Sequence, residues 1–190
     1  MPTSILVEKK KLAKPPLDIH HLGDRVLRQS AKRIASVDEE IRRTIVAMLQ
    51  TMYSADGIGL AAPQVGINKQ LIVIDCEFEQ PEAPPLVLIN PAIEKYGKAL
   101  CKDQEGCLSI PGVYLDVERP ETISVTYRDE SGRPRKLKAD GLLARVIQHE
   151  MDHLHGVLFV DRVENELALT EELQKKGFSL QHVQNIKPGA

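Results

Sequence analysis

Residues 148–156 read Gln-His-Glu-Met-Asp-His-Leu-His-Gly, and their spacing restricts the chain more than any other stretch. On an α-helix, positions i and i+4 are rotated by about 400°, or ~40° net. His149 and His153 therefore project from one face and can share one cation. Glu150 lies on the adjacent flank, within reach of a water on that ion. Upstream, Leu142 and Val146 lead into His149 and His153 at spacings of four, three and four. Two ionisable rings thus continue an apolar ridge, where polar groups are costly unless something binds them. The segment 141–154 is expected to be a helix with that face buried. A solvated helix face, or a pair of satisfied core histidines, is the competing explanation, and the apolar stripe weighs against it.

Two histidines do not complete a catalytic metal site, which usually has three protein ligands and one open position. Cys107 is a candidate third ligand. Gly106 precedes it and Pro111–Gly112 follow, a bend or bulge able to bring a thiolate toward a helix. A lone cysteine is more often a small core hydrophobe, and Cys76, Cys101 and Cys107 are too few for a disulfide framework. His20 and His21 are rival ligands without supporting context. His155 points away from His153 and is expected to be exposed at the helix end. A third stretch, Gly57 to Gly66, has two glycines one residue apart, which lets backbone approach a ligand closely. It lacks the lysine and Ser/Thr of a phosphate loop. Taken alone it reads as a helix stop followed by a turn.

The remaining elements follow from periodicity. Residues 1–16 are basic, proline-containing and aperiodic, an expected extended arm. Residues 24–33 suit a short helix. Ser36 reads as an N-cap with Glu39 closing a capping box. Ile41, Ile45, Met48 and Met52 then repeat at helical spacing as far as about Asp56, where Gly57 supplies the stop. Strands are expected at 70–75, 85–90 and 122–128, the last turning through 129–133 into a partner at 134–139. A helix over about 163–176 has Gly177 just past its end. The last dozen residues show no pattern. Strands clustered between helices argue α+β with mostly antiparallel sheet, in a single domain over 1–190.

Composition sets outer limits. With no Trp and 4% aromatics the core must be aliphatic, and a formal charge of −2 gives no general attraction to nucleic acid or anionic membrane. The apolar runs fall short of the roughly 20 residues of a membrane span, and the N-terminus has no signal-type apolar core. A cytoplasmic location is expected.

Gly57-Ile58-Gly59-Leu60-Ala61-Ala62-Pro63-Gln64, Glu105-Gly106-Cys107-Leu108-Ser109 and Gln148-His149-Glu150-Met151-Asp152-His153-Leu154 together resemble the three motifs of the peptide deformylase family, in order, over about half the chain. The continuation Ser109-Ile110-Pro111-Gly112 resembles the bacterial and plastid branch, which leaves the plastid stroma as the alternative location. The resemblance implies an α+β fold with mostly antiparallel sheets packed around a central helix carrying the HExxH residues. It implies a metal-dependent hydrolase that removes the formyl group from N-terminal N-formylmethionine of nascent polypeptides and releases formate. Cys107, His149 and His153 would hold one divalent ion, Fe²⁺ first and Zn²⁺ second, with Ni²⁺ or Co²⁺ as substitutes. A metal-bound water would be the nucleophile and Glu150 the general acid/base. Gln64, through its amide, and Leu108, through its backbone N–H, would hold the oxyanion, and Gly59 would contact the substrate backbone. Methionine selectivity calls for an apolar pocket, for which Ile58, Leu142 and Val146 are candidates. Glu105 and Asp152, nearby in sequence, are candidates to orient the ligating histidines, and either is equally a candidate structural ion-pair partner. The partners implied are formylmethionyl nascent peptides. No membrane or specific nucleic acid is expected, and the C-terminal segment 165–190 is a packing element or, alternatively, a ribosome contact. A zinc protease with another third ligand, and a closed structural metal site, are the competing classes.

Overall fold

The computed structural model describes residue 5 and residues 7–186. The parts of the expected arm and tail at residues 1–4, 6 and 187–190 lie outside the described residues.

The first helix, α1 (Glu39–Ser54), is capped by Asp38, whose carboxylate accepts the Ile41 N–H at 2.9 Å. The expected cap at Ser36 is two residues early. Asp38 sits in extended backbone immediately before the first helical turn, and its negative charge suits the helix dipole there. The helix ends at Ser54, three residues before the expected glycine. Asp56 takes the left-handed conformation (φ 59°), and the Gly57 N–H reaches back to the Met52 carbonyl at 3.0 Å, closing a Schellman-type end.

After it come β1 (Gly59–Ala61), a 3₁₀ turn at Ala62–Val65, β2 (Leu71–Ile74) and β3 (Leu86–Tyr96). The long hairpin of β4 (Leu100–Cys107) and β5 (Ile110–Pro120) follows, then the hairpin of β6 (Thr122–Arg128) and β7 (Pro134–Asp140). The helix α2 (Gly141–Leu154) spans the expected residues. The last helix, α3 (Glu166–Lys175), starts later than expected, because Phe159–Arg162 forms a separate 3₁₀ turn and Asn165 is the cap. Residues 24–33 hold only a 3₁₀ turn, Arg25–Arg28.

Five antiparallel strands form one sheet in the order β1-β2-β3-β6-β7. Its centre is covered on both faces, which explains the unbroken apolar run of β2. Leu71 and Val73 pack toward Ile45, Met48, Leu49 and Met52 of α1. Ile72 and Ile74 pack on the other side toward Val146, Ile147 and Met151 of α2. The separate β4–β5 pair carries a third core cluster with Leu169 and Leu173 of α3. The helix α2 thus lies between the main sheet and β5, and any group on it is held from two sides. The arm is fastened too: Lys9 Nζ pairs with buried Asp75 at 2.8 Å, and Asp75 also accepts the Tyr53 hydroxyl at 2.6 Å. No helix of the described residues is long and apolar enough to cross a membrane.

The β4–β5 hairpin is the element that periodicity did not reveal. The first five residues of β4, Leu100 to Gln104, are exposed and without apolar alternation; the strand exists because β5 pairs with it.

Asp38→Ala is expected to lower stability by about 1 kcal/mol, a fall in midpoint of ~2–4 °C for a chain of this size. Ser36→Ala should stay within ~0.5 kcal/mol. Thermal denaturation of the two variants side by side checks the cap assignment.

Candidate metal centre

The hairpin and the central helix meet at one cluster. Cys107, His149 and His153 each offer a ligand atom, and these atoms lie within 4.8 Å of one another. Cys107 Sγ is 3.3 Å from His153 Nε2. The backbone brings it there through a register shift between Gly106 and Cys107, the bulge expected from the flanking glycine. His20 and His21 stay out of the cluster; His20 pairs with Asp24 instead. His155 is exposed and caps its own helix. Among the described residues no fourth His, Cys, Asp or Glu joins the three.

The two imidazoles are held differently. Glu105 Oε2 lies 2.9 Å from His149 Nδ1. Burial alone would push Glu105 up, but the hydrogen bond from His149 and the Arg119 guanidinium hold it well below the usual carboxylate range. An ionised carboxylate only accepts, so His149 Nδ1 must donate, which leaves Nε2 for the cluster. Burial would likewise push His149 down, yet its bonds to Cys107 and Glu105 outweigh that and hold it well above the ordinary value. Burial and the neighbouring His149 charge hold His153 well below it. His153 Nδ1 is buried without a partner among the described residues. Phe159 stacks on the His149 ring with centroids 5.9 Å apart. Of the two candidate orienting carboxylates, Glu105 takes the role, and Asp152 instead pairs with Arg119 and Arg162.

The donor set fits a divalent cation. One soft sulfur and two imidazoles converge, and such sets suit Zn²⁺ or Fe²⁺. Glu150 stands beside them. Its Oε2 is buried without a hydrogen-bond partner among the described residues, and burial pushes its carboxyl up to about 7. That is the range in which a group both takes and gives protons near neutral pH.

A cleft of about 610 Å³ opens over the cluster, lined among others by Ile58, Gly59, Gln64, Cys107, Leu108, Leu142, Val146 and Glu150. Of the expected metal-ligating, catalytic and substrate-binding residues, all except His153 line this cleft. Leu142 departs from the expected buried ridge: it is 56% exposed, because it lies in the first turn of α2, where the helix emerges from between the two sheets. Val146 and both histidines are buried. Gly59 is required by space. A Cβ there would sit 2.5 Å from Glu150 Oε1 and 2.9 Å from Val146 Cγ1. Gln64 is fixed by its neighbours: Oε1 accepts the Ala61 N–H at 2.9 Å, so Nε2 faces Ser109 Oγ at 3.1 Å and Cys107 Sγ at 3.5 Å.

Sequence reasoning missed the arginines behind Glu105. Arg119 grips both its oxygens at 2.5 and 2.9 Å, and Arg145 donates to Oε1 at 2.8 Å. A signal existed. Val113, Leu115 and Val117 alternate as the inward row of β5, and Arg119 is the next inward position, a cation where an apolar residue would be expected.

Comparison with known proteins places this geometry. The family model described as Polypeptide deformylase matches residues 16–168. Peptide deformylase 1 of Nostoc sp. is 67% identical over 186 residues, covering 98% of this chain and 100% of the relative. The crystal structure of a peptide deformylase from Synechococcus elongatus in complex with actinonin matches with a TM-score of 0.96 at 72% identity, covering 97% of this chain and 100% of that one. The peptide deformylase of Thermotoga maritima matches with a TM-score of 0.73 at 41% identity, covering 78% of this chain and 97% of that one.

Metal-free protein is expected to bind about one Zn²⁺ per chain and to release protons as it does so. The sign follows from His149: held above its ordinary value, it stays protonated further up the pH scale and must lose that proton to ligate. Apparent affinity should therefore fall as pH is lowered from about 8 to about 6. Titration calorimetry in buffers of different ionisation enthalpy measures both quantities.

Proposed function

We propose that this chain, which belongs to the polypeptide deformylase family and removes the N-formyl group from nascent peptides, does so at the Cys107–His149–His153 cluster with Glu150 as general acid/base. The observation that carries this reading is the convergence on one cleft of a cysteine sulfur, two imidazoles and a buried carboxyl, one oxygen of which has no partner among the described residues. The family is metal-dependent. Within the divalent ions the soft donor set admits, we take Fe²⁺ first and Zn²⁺ second, with Ni²⁺ or Co²⁺ as substitutes.

A bound divalent ion would supply Lewis acidity, activating water and polarising the formyl oxygen. The chain's own groups do the rest. Glu150 takes a proton from the attacking water and delivers it to the amine as the formyl C–N bond breaks. Formate keeps the oxygen of the water, and the peptide keeps a free N-terminal methionine. Negative charge on the former carbonyl oxygen is met by the Gln64 amide, already aimed at the cluster, and by the Leu108 N–H next to the thiolate. Preorganised donors of this kind are typically worth about 2.7–4 kcal/mol each in the transition state. Gly59 leaves room for Glu150 and for a peptide backbone beside it. Ile58 and Val146, with Leu142 at the mouth, form the apolar wall that receives the methionine side chain. Actinonin, bound by the Synechococcus elongatus relative, is expected to occupy the same cleft here. We read residues 1–190 as one catalytic domain acting in the cytoplasm on peptides emerging from the ribosome, with α3 as a packing element.

Formate release from a formyl-Met peptide tests the assignment. Glu150→Gln should lower kcat by at least ~10²-fold while the metal content stays that of the parent. Cys107→Ser should lose metal and activity together. Retained turnover in Glu150→Gln would remove Glu150 from the mechanism, and retained metal and turnover in Cys107→Ser would point to another third ligand. Gly59→Ala should lose activity with little loss of folding, since the added methyl displaces Glu150 and Val146 rather than backbone. Val146→Trp should raise KM for formyl-Met substrates and weaken the preference for Met.

A further inference from the structure

The charged residues behind the cluster form a continuous chain. Arg145 and Arg119 both donate to Glu105, Arg119 Nη1 reaches Asp152 Oδ2 at 2.9 Å, and Arg162 grips both oxygens of Asp152 at 2.7 Å. Arg119 occupies the middle. Its side chain is 4% exposed, and its hydrogen bonds go to Glu105 and Asp152, not to the ligand set. Glu105 lies two residues before Cys107 on β4, and Asp152 lies one residue before His153 on α2. One rigid guanidinium therefore ties together the strand that carries the thiolate and the helix that carries the imidazoles.

We propose that Arg119 is a positioning residue for the metal centre, acting on His149 through Glu105 and setting the separation of β4 from α2 through Asp152. This rests on the reading that Cys107, His149 and His153 hold the ion. The geometry argues against simple packing. The inward row of β5 is apolar up to Arg119, and replacing a whole buried ion cluster by apolar residues often costs no stability, so packing alone does not call for these charges here. The arginine instead supplies a bidentate grip on one carboxylate and a third N–H to another. A lysine ammonium cannot match that planar fork. Loss of such outer support typically weakens metal binding by about 10–100-fold.

The experiment uses the full chain loaded with Co²⁺, whose absorption reports both thiolate ligation and coordination geometry. Release is followed after addition of a chelator, for the parent, Arg119→Lys, Asp152→Asn, Glu105→Gln and the Glu105→Gln/Arg119→Lys double variant. Arg119→Lys should speed Co²⁺ release by ~10–100-fold and shift the visible bands. Asp152→Asn should do so to a smaller degree, and it carries the test if Arg119→Lys fails to fold. Because Arg119 acts on His149 through Glu105, the double variant should release more slowly than the product of the two single effects predicts, the remaining excess over Glu105→Gln being the part carried through Asp152. Parental release rates and spectra in Arg119→Lys and Asp152→Asn, with only the melting temperature lowered, would leave Arg119 a purely structural residue and overturn the proposal. Multiplying effects in the double variant would overturn the route through Glu105. A parent whose Co²⁺ form lacks a thiolate band that Cys107→Ser removes would instead overturn the metal-site reading itself, and this inference with it.

Discussion

Glu105 is buried, and a buried carboxylate needs partners for both oxygens. Here Arg119 spans them, Arg145 takes one, and His149 donates to the other. That single set of contacts decides several things at once. It keeps Glu105 ionised, fixes which nitrogen of His149 carries a proton, and turns the other nitrogen toward the sulfur. It also ties the polar strand β4 to the rest of the protein. Without it, β4 would keep its pairing with β5 and the Arg145 bond to the Cys101 carbonyl near its start, but the end that carries Cys107 would lose its tie to the helix.

The site combines this rigid back with an emptied front. Behind the imidazoles, Phe159 and the paired ions leave no room for movement. In front, Gly59 withholds a side chain, so the Glu150 carboxyl can lie against the glycine loop, buried, with its Oε2 unpartnered among the described residues. A carboxyl kept dry in this way holds its proton to higher pH than a solvated one, as a group that both accepts and donates a proton requires. The Gln64 amide is likewise set in advance, its oxygen taken by Ala61 and its nitrogen left toward the sulfur.

How much of this the sequence disclosed depended on local pattern. The helix α2 was readable end to end, because its apolar and ligand positions share one period. The main sheet was readable because β2, β3 and β6 carry apolar runs or alternation. The caps of α1 were not. Ser36 and Asp38 both satisfy the local chemistry, and only the path of the chain places Asp38 next to the first free N–H groups. The strand β4 carried no apolar signal, since the side chains of its first five residues face solvent and its partner supplies the pairing. Leu142 fits the helical stripe by spacing, yet the stripe leaves the core before reaching it.

By itself, the sequence determined which groups could do the chemistry: two imidazoles one turn apart, a carboxyl beside them, a cysteine in a bend and an amide after a glycine loop. Those choices are written in residue types and in spacings short enough for local backbone geometry to govern. The tertiary structure decided which sulfur meets those rings, which carboxylate orients His149 and why Gly59 can only be glycine. Each of these is a contact between residues more than 40 positions apart in the chain or more. No local period encodes such a contact; it exists only once sheet, hairpin and helix are packed against one another.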